Sequence, residues 1–380
     1  MLKINYPNKT NISVLEAAYK SALDVADMQV KLNDFFKLKA LKSIPNPPTV
    51  EDLLTMKFED LIKESIRLNR YFKKVHKEKL KKILNYDIQK AQIPKQQPNI
   101  AQFFSSHQDK ISLCTCYYCN IDFITAFKDF GDYRDALDFV KRAKPEELAA
   151  IRGIGAPKAA IIIAERKTLK DIDDLPNPIN ATDKKNLKLL IVNEYSSHFT
   201  LDHVISKSDH PIAALSLYNF VPSCYSCNSK FKNARKLIEH TRSSFISPTS
   251  ANNAFSNEFR FKLYFHDNRD KKSLKHSAIN EFYLDLEISA NNKDYERFLS
   301  IFKIHSRYVF HKREIKDLIR KKIEYNDSHI SKMASILKIG VEQVKKDIFG
   351  KELFESNQET YPLTKLKRDI GKEIGIKGIR

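Results

Sequence analysis

There is no tryptophan in this chain, and there are only 8 glycines among its 380 residues. So little glycine leaves scant material for loops that cradle phosphates with permissive backbone, and no nucleotide-binding fingerprint is present. Long apolar runs are missing as well; none approaches the roughly 18–20 residues that a membrane helix needs. The opening residues, MLKINYPNKTN, lack the apolar stretch of a secretory signal. Acid is scarce relative to base, with 47 Asp and Glu against 66 Lys and Arg, giving a formal charge of +19. A surface that basic releases condensed counterions when it meets a polyanion, which puts nucleic acid first among partners. Cysteines number 5, and four of them form two Cys-x-x-Cys pairs. That spacing argues for metal ligation rather than disulfides, and so for a reducing, cytoplasmic compartment.

Residues 1–110 read as a helical region. Ser13-Val14-Leu15-Glu16 has the form of a capping box opening an amphipathic run toward Leu38. Pro45-Asn46-Pro47-Pro48 breaks the chain, and Thr49 is placed to cap the next helix. Ile62, Ile66, Val75, Leu80, Ile83 and Leu84 recur at helical spacing, which predicts a helix over 62–84. Ile93-Pro94 and Gln97-Pro98 mark a linker.

Leu113-Cys114-Thr115-Cys116-Tyr117-Tyr118-Cys119-Asn120 then forms a knuckle whose Cys116 and Cys119 can point both thiolates one way. With Cys224 and Cys227 they make a four-thiolate set suited to a structural Zn2+. Cys114 is the odd thiol, spare or a substitute for Cys116. The long gap between the two pairs implies an insertion. Residues 123–143 read as helical, and KPEELAAIRGIGAPKAAIIIAERKT follows. Leu148 and Ile151 share one helical face; Ala159, Ile162 and Ile163 share another across Gly153-Ile154-Gly155. This resembles the helix-hairpin-helix family, spanning about 144–190 if Leu175–Leu190 is a degraded second copy. The resemblance implies that Gly153 and Gly155 present backbone N–H groups to a DNA phosphate, with Arg152 and Lys158 close by.

The stretch from Phe199 to Arg235 concentrates the chemistry. Phe199-Thr200-Leu201 alternates into Asp202-His203, Tyr218–Val221 reads as a second strand, and the second Cys-x-x-Cys opens a helix over about 226–240. An Asp-His pair, an Asn sixteen residues after that His, and Cys-x-x-Cys-Asn together resemble the HNH (ββα-metal) endonuclease family in its zinc-stapled form. The resemblance implies His203 as general base, Asp202 and Asn228 as ligands of a catalytic Mg2+ or Mn2+, and Asn219 as the brace of the loop. Some zinc-stapled members exchange the roles of Asn219 and Asn228. Lys230 and Arg235 are expected at the phosphate backbone.

Downstream, Phe259–Phe265 and Phe282–Ile288 alternate as two antiparallel strands, a long helical pattern runs from 294 to 325, and the basic tail 362–380 reads as partly mobile. The expected fold class is α+β, mostly α: a helical 1–110 region, a nuclease domain over 111–242 and a C-terminal α+β domain over 243–380. The expected function is DNA cleavage in anti-phage defence or restriction, with a partner ATPase or sensor protein in such systems. The alternatives are a structure-specific repair nuclease and an inactive zinc-stapled DNA-binding protein.

Overall fold

The computed structural model describes residues 3–379 apart from 5, 8, 90, 129–130, 191–194, 239–245, 254–256, 266–270, 272–281, 289–292 and 356–360. The fold is α+β and mostly helical. Two compact units divide it: one combines 1–103, 107–125 and 199–380, and the other combines 104–106 with 126–198. The regions 1–110 and 243–380 thus fold largely in one unit with both Cys-x-x-Cys segments, and the inserted unit is wider than the 144–190 hairpin read from the sequence.

The N-terminal region forms α1 (Lys9–Ser21), α2 (Val25–Phe36), α3 (Val50–Thr55), α4 (Phe58–Asn69), α5 (Lys74–Ile83) and α6 (Gln97–Ser106). The expected run toward Leu38 is two helices, because Asp24 precedes α2 in a non-helical backbone conformation. Ser13 lies inside α1 rather than at its start. Thr49 does cap α3, in a reciprocal box with Asp52. The expected 62–84 helix is broken between α4 and α5, where Phe72 turns into the core. The helices pack on the segment after His203: the Tyr19 hydroxyl donates to Leu215 O at 2.7 Å and the Tyr218 hydroxyl to Glu16 at 2.5 Å.

In the inserted unit, β1 (Ala126–Lys128) precedes α7 (Ala136–Arg142), α8 (Pro145–Ala149), α9 (Gly155–Glu165) and α10 (Ala181–Lys188), and β2 (Tyr195–Ser197) pairs antiparallel with β1. Residues 123–143 are therefore mostly not helical: Gly131, at φ +78°, turns the chain, and Asp135 caps a late, short α7. Phe139, Leu148, Ile162 and Leu187 form the centre of a small core.

The main unit resumes with β3 (Thr200–His203) paired antiparallel with β4 (Phe220–Ser223), then a π-helix at Ser226–Lys232. The helix expected over 226–240 ends early because Asn233 adopts φ +46°, and its last two positions lie outside the described residues. Next, β5 (Phe259–Phe265) pairs with β6 (Phe282–Ile288), as the alternation predicts. The helical pattern over 294–325 is divided into α11 (Lys293–Ile301), α12 (Ile304–Tyr308) and α13 (Lys312–Glu324), because Lys303 takes a left-handed conformation and a 3-10 turn follows Tyr308. Then come α14 (Asp327–Leu337), α15 (Val341–Phe349) and α16 (Thr364–Glu373). The tail is thus an ordered helix. Leu366, Ile370 and Ile374 are buried, and Asp369 and Glu373 accept the N–H groups of Phe261 and Leu263 at 3.0 and 2.9 Å. Those carboxylates satisfy the edge donors of β5. Among the described residues, no helix is long and apolar enough to cross a membrane.

Candidate functional site

Cys116, Cys119, Cys224 and Cys227 are buried, and their four sulfurs lie within 4.8 Å of one another. A tetrahedral zinc about 2.3 Å from each sulfur needs them about 3.8 Å apart, so the cluster can hold a metal ion such as zinc. Cys114 is half-buried and outside the cluster. Burial pushes the thiols of Cys116 and Cys227 well up, which disfavours bare thiolates and calls for positive charge. Burial opposes ionisation of Cys119 too, but hydrogen bonds from the three other thiols and the Arg307 guanidinium carry it well below the usual range.

Arg307, from α12, donates to Cys227 Sγ at 3.2 Å, Cys119 Sγ at 3.5 Å and Asp122 at 3.2 Å, with its guanidinium over the Phe231 ring. The knuckle is also held from the C-terminal region by further hydrogen bonds. The Tyr308 hydroxyl donates to Cys119 O at 2.6 Å, Asn120 Nδ2 donates to Tyr361 O at 2.9 Å, and Leu363 N donates to Asn120 O at 2.7 Å. Asn120 itself sits at φ +52°, a conformation asparagine tolerates better than most residues.

On β3, neighbouring side chains point to opposite faces, so Asp202 and His203 diverge. Asp202 is 5% exposed, and both its oxygens are engaged: Lys232 Nζ donates to Oδ1 at 2.6 Å and the Tyr118 hydroxyl to Oδ2 at 2.5 Å. Lys232 also donates to His203 O at 3.0 Å. The Tyr118 ring stacks on Phe302 at 4.6 Å, which fixes the hydroxyl's direction. His203 lies between Tyr86 and Phe220, with ring centroids at 4.6 and 4.7 Å. Its Nε2 is 2.9 Å from Ala214 O, a hydrogen bond that requires the proton on Nε2 and leaves the lone pair on Nδ1. Burial pushes its pKa down to about 3, the Ala214 carbonyl opposing, so the ring stays neutral where a solvated imidazole would titrate. Tyr86 and Ala214, which touch the His203 ring, also line a cavity of about 120 Å³ together with Lys207.

Asn219, fully buried, bonds three ways: Ile205 N donates to its Oδ1 at 2.7 Å, and its Nδ2 donates to Ile205 O at 3.0 Å and Ala213 O at 2.9 Å. It ties down both ends of the loop between β3 and β4. Asn228 is half-buried, with Nδ2 3.5 Å from Leu201 O. Lys230 and Arg235 are exposed.

In the inserted unit, Gly153 and Gly155 have φ of +91° and +59°, so the hairpin uses the backbone freedom that its glycines imply. The Lys158 ammonium donates to Asp183 at 2.5 Å and to Gly153 O at 2.9 Å. Asp183 is buried and caps α10 through Asn180, so it needs that cation more than solvent does. Arg152 remains exposed.

Three partners of the site escape a reading of the sequence. Lys232 stands four residues past Asn228, and its place on the helix face toward β3 is readable once a helix is assumed. Tyr118 lies inside the knuckle but looks like ordinary core. Arg307 carries no local signal.

The Lys232–Asp202 pair gives a measurable consequence. Both side chains are under 10% exposed, at 8% and 5%, and removing one partner of a buried pair costs about 3–5 kcal/mol. Lys232→Met should lower the urea midpoint accordingly, and Asp202→Asn in that background should recover part of the loss. Additive losses in the double variant would contradict the pairing. No family model, curated protein or solved structure matches this chain.

Proposed function

We propose that the protein is a metal-dependent DNA endonuclease of the HNH kind, with a structural zinc on Cys116, Cys119, Cys224 and Cys227. The observation that carries the reading is His203: a neutral, buried imidazole with its tautomer set by Ala214, on the strand that carries Asp202, in the unit that also holds the four-cysteine cluster. β3, β4 and the following π-helix would be the ββα core, stapled to the Cys116–Cys119 knuckle by the zinc.

In hydrolysis, Nδ1 of His203 takes a proton from a water whose oxygen bonds to phosphorus; the P–O3′ bond breaks, leaving a 5′-phosphate, and the departing O3′ takes a proton from solvent to become a 3′-hydroxyl. Burial alone makes His203 a poor base, but an arriving phosphodiester brings negative charge that favours its protonated form at the moment of transfer. Asn219 keeps the loop carrying Ala214 in place, and Lys230 and Arg235 contact neighbouring phosphates. Asp202 and Asn228 offer one carboxylate and one amide, hard oxygen donors suited to Mg2+ or Mn2+, which would neutralise charge at the phosphate. Both Asp202 oxygens are taken, by the Lys232 ammonium and the Tyr118 hydroxyl, so a divalent ion there would have to replace Lys232 as the cation that the carboxylate requires. The setting we favour, from the resemblance alone, is defence against invading DNA.

The test is conversion of supercoiled plasmid to nicked and linear forms. Cleavage is expected with Mg2+ or Mn2+ and not without added divalent ion. Absence of nicking on plasmid, phage and single-stranded DNA in both metals would sink the assignment.

A further inference from the structure

A second charged cavity lies in the C-terminal region, between β5 and α16. Its volume is about 440 Å³, and Asn257, Arg260, Lys262, Lys365, Lys372 and the carboxylates of Asp369 and Glu373 line it. Four cations against two acids would mean little if the charges cancelled in pairs, so the partners decide the matter. Asp369 spends one oxygen on Phe261 N and the other on Lys365 at 2.8 Å. Glu373 spends one on Leu263 N and the other on Lys271. Lys262 reaches Glu287 at 3.4 Å. Arg260 and Lys372, both exposed, make no ion pair among the described residues. The carboxylates cannot swing over to them without stripping the edge donors of β5.

We propose that this cavity is a phosphate subsite, with Arg260 and Lys372 holding a phosphate of a nucleic-acid strand away from the cleavage centre. An Arg fork and a Lys lining one cavity suit a tetrahedral oxyanion. The one aromatic residue in the lining, Phe261, is 1% exposed and offers no face for a base to stack on, so the cavity reads phosphate rather than sequence. The nucleic-acid source of the phosphate rests on the function proposed above; the affinity for phosphate does not.

The test compares the full-length wild type with Arg260→Gln/Lys372→Gln, without added divalent ion so that nothing is cut. Anisotropy of a labelled duplex across a salt series should show binding weakened about 10-fold and a log–log salt slope shallower by about 1, the unit expected for the one phosphate no longer neutralised. Lys332→Gln/Lys338→Gln removes the same charge from exposed positions and should change the slope much less. Equal losses in the two double variants would reduce the site to bulk charge and overturn the proposal, as would an unchanged slope. Inorganic phosphate forms the second arm. If it raises the thermal midpoint of wild type alone while duplex binding is equal in both proteins, the cavity takes free phosphate and the nucleic-acid assignment falls. Nicking without a slope change would defeat this inference alone; a slope change without nicking would defeat the nuclease reading alone.

Discussion

Cys224→Ser should yield a protein that neither binds zinc nor keeps its main unit folded. Cys224 and Cys227 flank the start of the π-helix while Cys116 and Cys119 come from a knuckle more than a hundred residues earlier, so a bound ion closes a long loop through a buried point. Structural zinc in small domains contributes on the order of 10 kcal/mol or more at neutral pH, comparable with the whole stability of a domain. Without the ion, the buried sulfurs face burial costs that Arg307 alone offsets in part. Metal analysis should find about one zinc per chain in wild type, and chelation should release it together with the tertiary signal in near-ultraviolet circular dichroism. A folded, zinc-free wild type would refute the staple. Arg307→Leu should speed zinc release to a chelator while Arg307→Lys restores part of the retention.

His203→Ala should cost 10²-fold or more in cleavage and little in folding, because general base catalysis supplies about 10²- to 10⁴-fold. The substitution leaves Ala214 O without its partner and opens space between Tyr86 and Phe220, so stability should fall by a few kcal/mol at most. Circular dichroism and zinc content should therefore match wild type while plasmid nicking is lost. If the variant cuts as fast as wild type, His203 is a core histidine and the base lies elsewhere. His203→Gln, which retains a donor toward Ala214, separates loss of the base from loss of the loop anchor: it should stay stable and remain inactive.

The site is legible in the sequence where chemistry is local. Two Cys-x-x-Cys pairs come together because a knuckle aims both thiolates one way, and Asp202 and His203 diverge because they are neighbours on a strand. Asn219 can be singled out by resemblance, and its three hydrogen bonds give it a mechanical part. The strands β5 and β6 follow from strict alternation, which has no helical counterpart. Helix ends are much less legible. Apolar periodicity continues through Asp24 and Phe72 although the backbone does not, because a break that turns its own side chain into the core preserves the pattern. The tail resembles a solvated basic run because its helix is ordered by β5 edge donors, a partner more than a hundred residues away. The partner of Lys158 is hidden for a similar reason: the acid that pairs with it, Asp183, belongs to the next helix along.

The grip of the C-terminal region on the knuckle has a consequence in time. Arg307, Tyr308, Tyr361 and Leu363 all close on Cys119, Asn120 or Cys227, and Phe302 supports the tyrosine that holds Asp202. During synthesis from the N-terminus, every residue assigned to cleavage emerges well before these supports do. A growing chain therefore carries the residues proposed for cleavage unbraced until position 363 has been added, so the proposed activity would arrive late in translation rather than with the segment that encodes it.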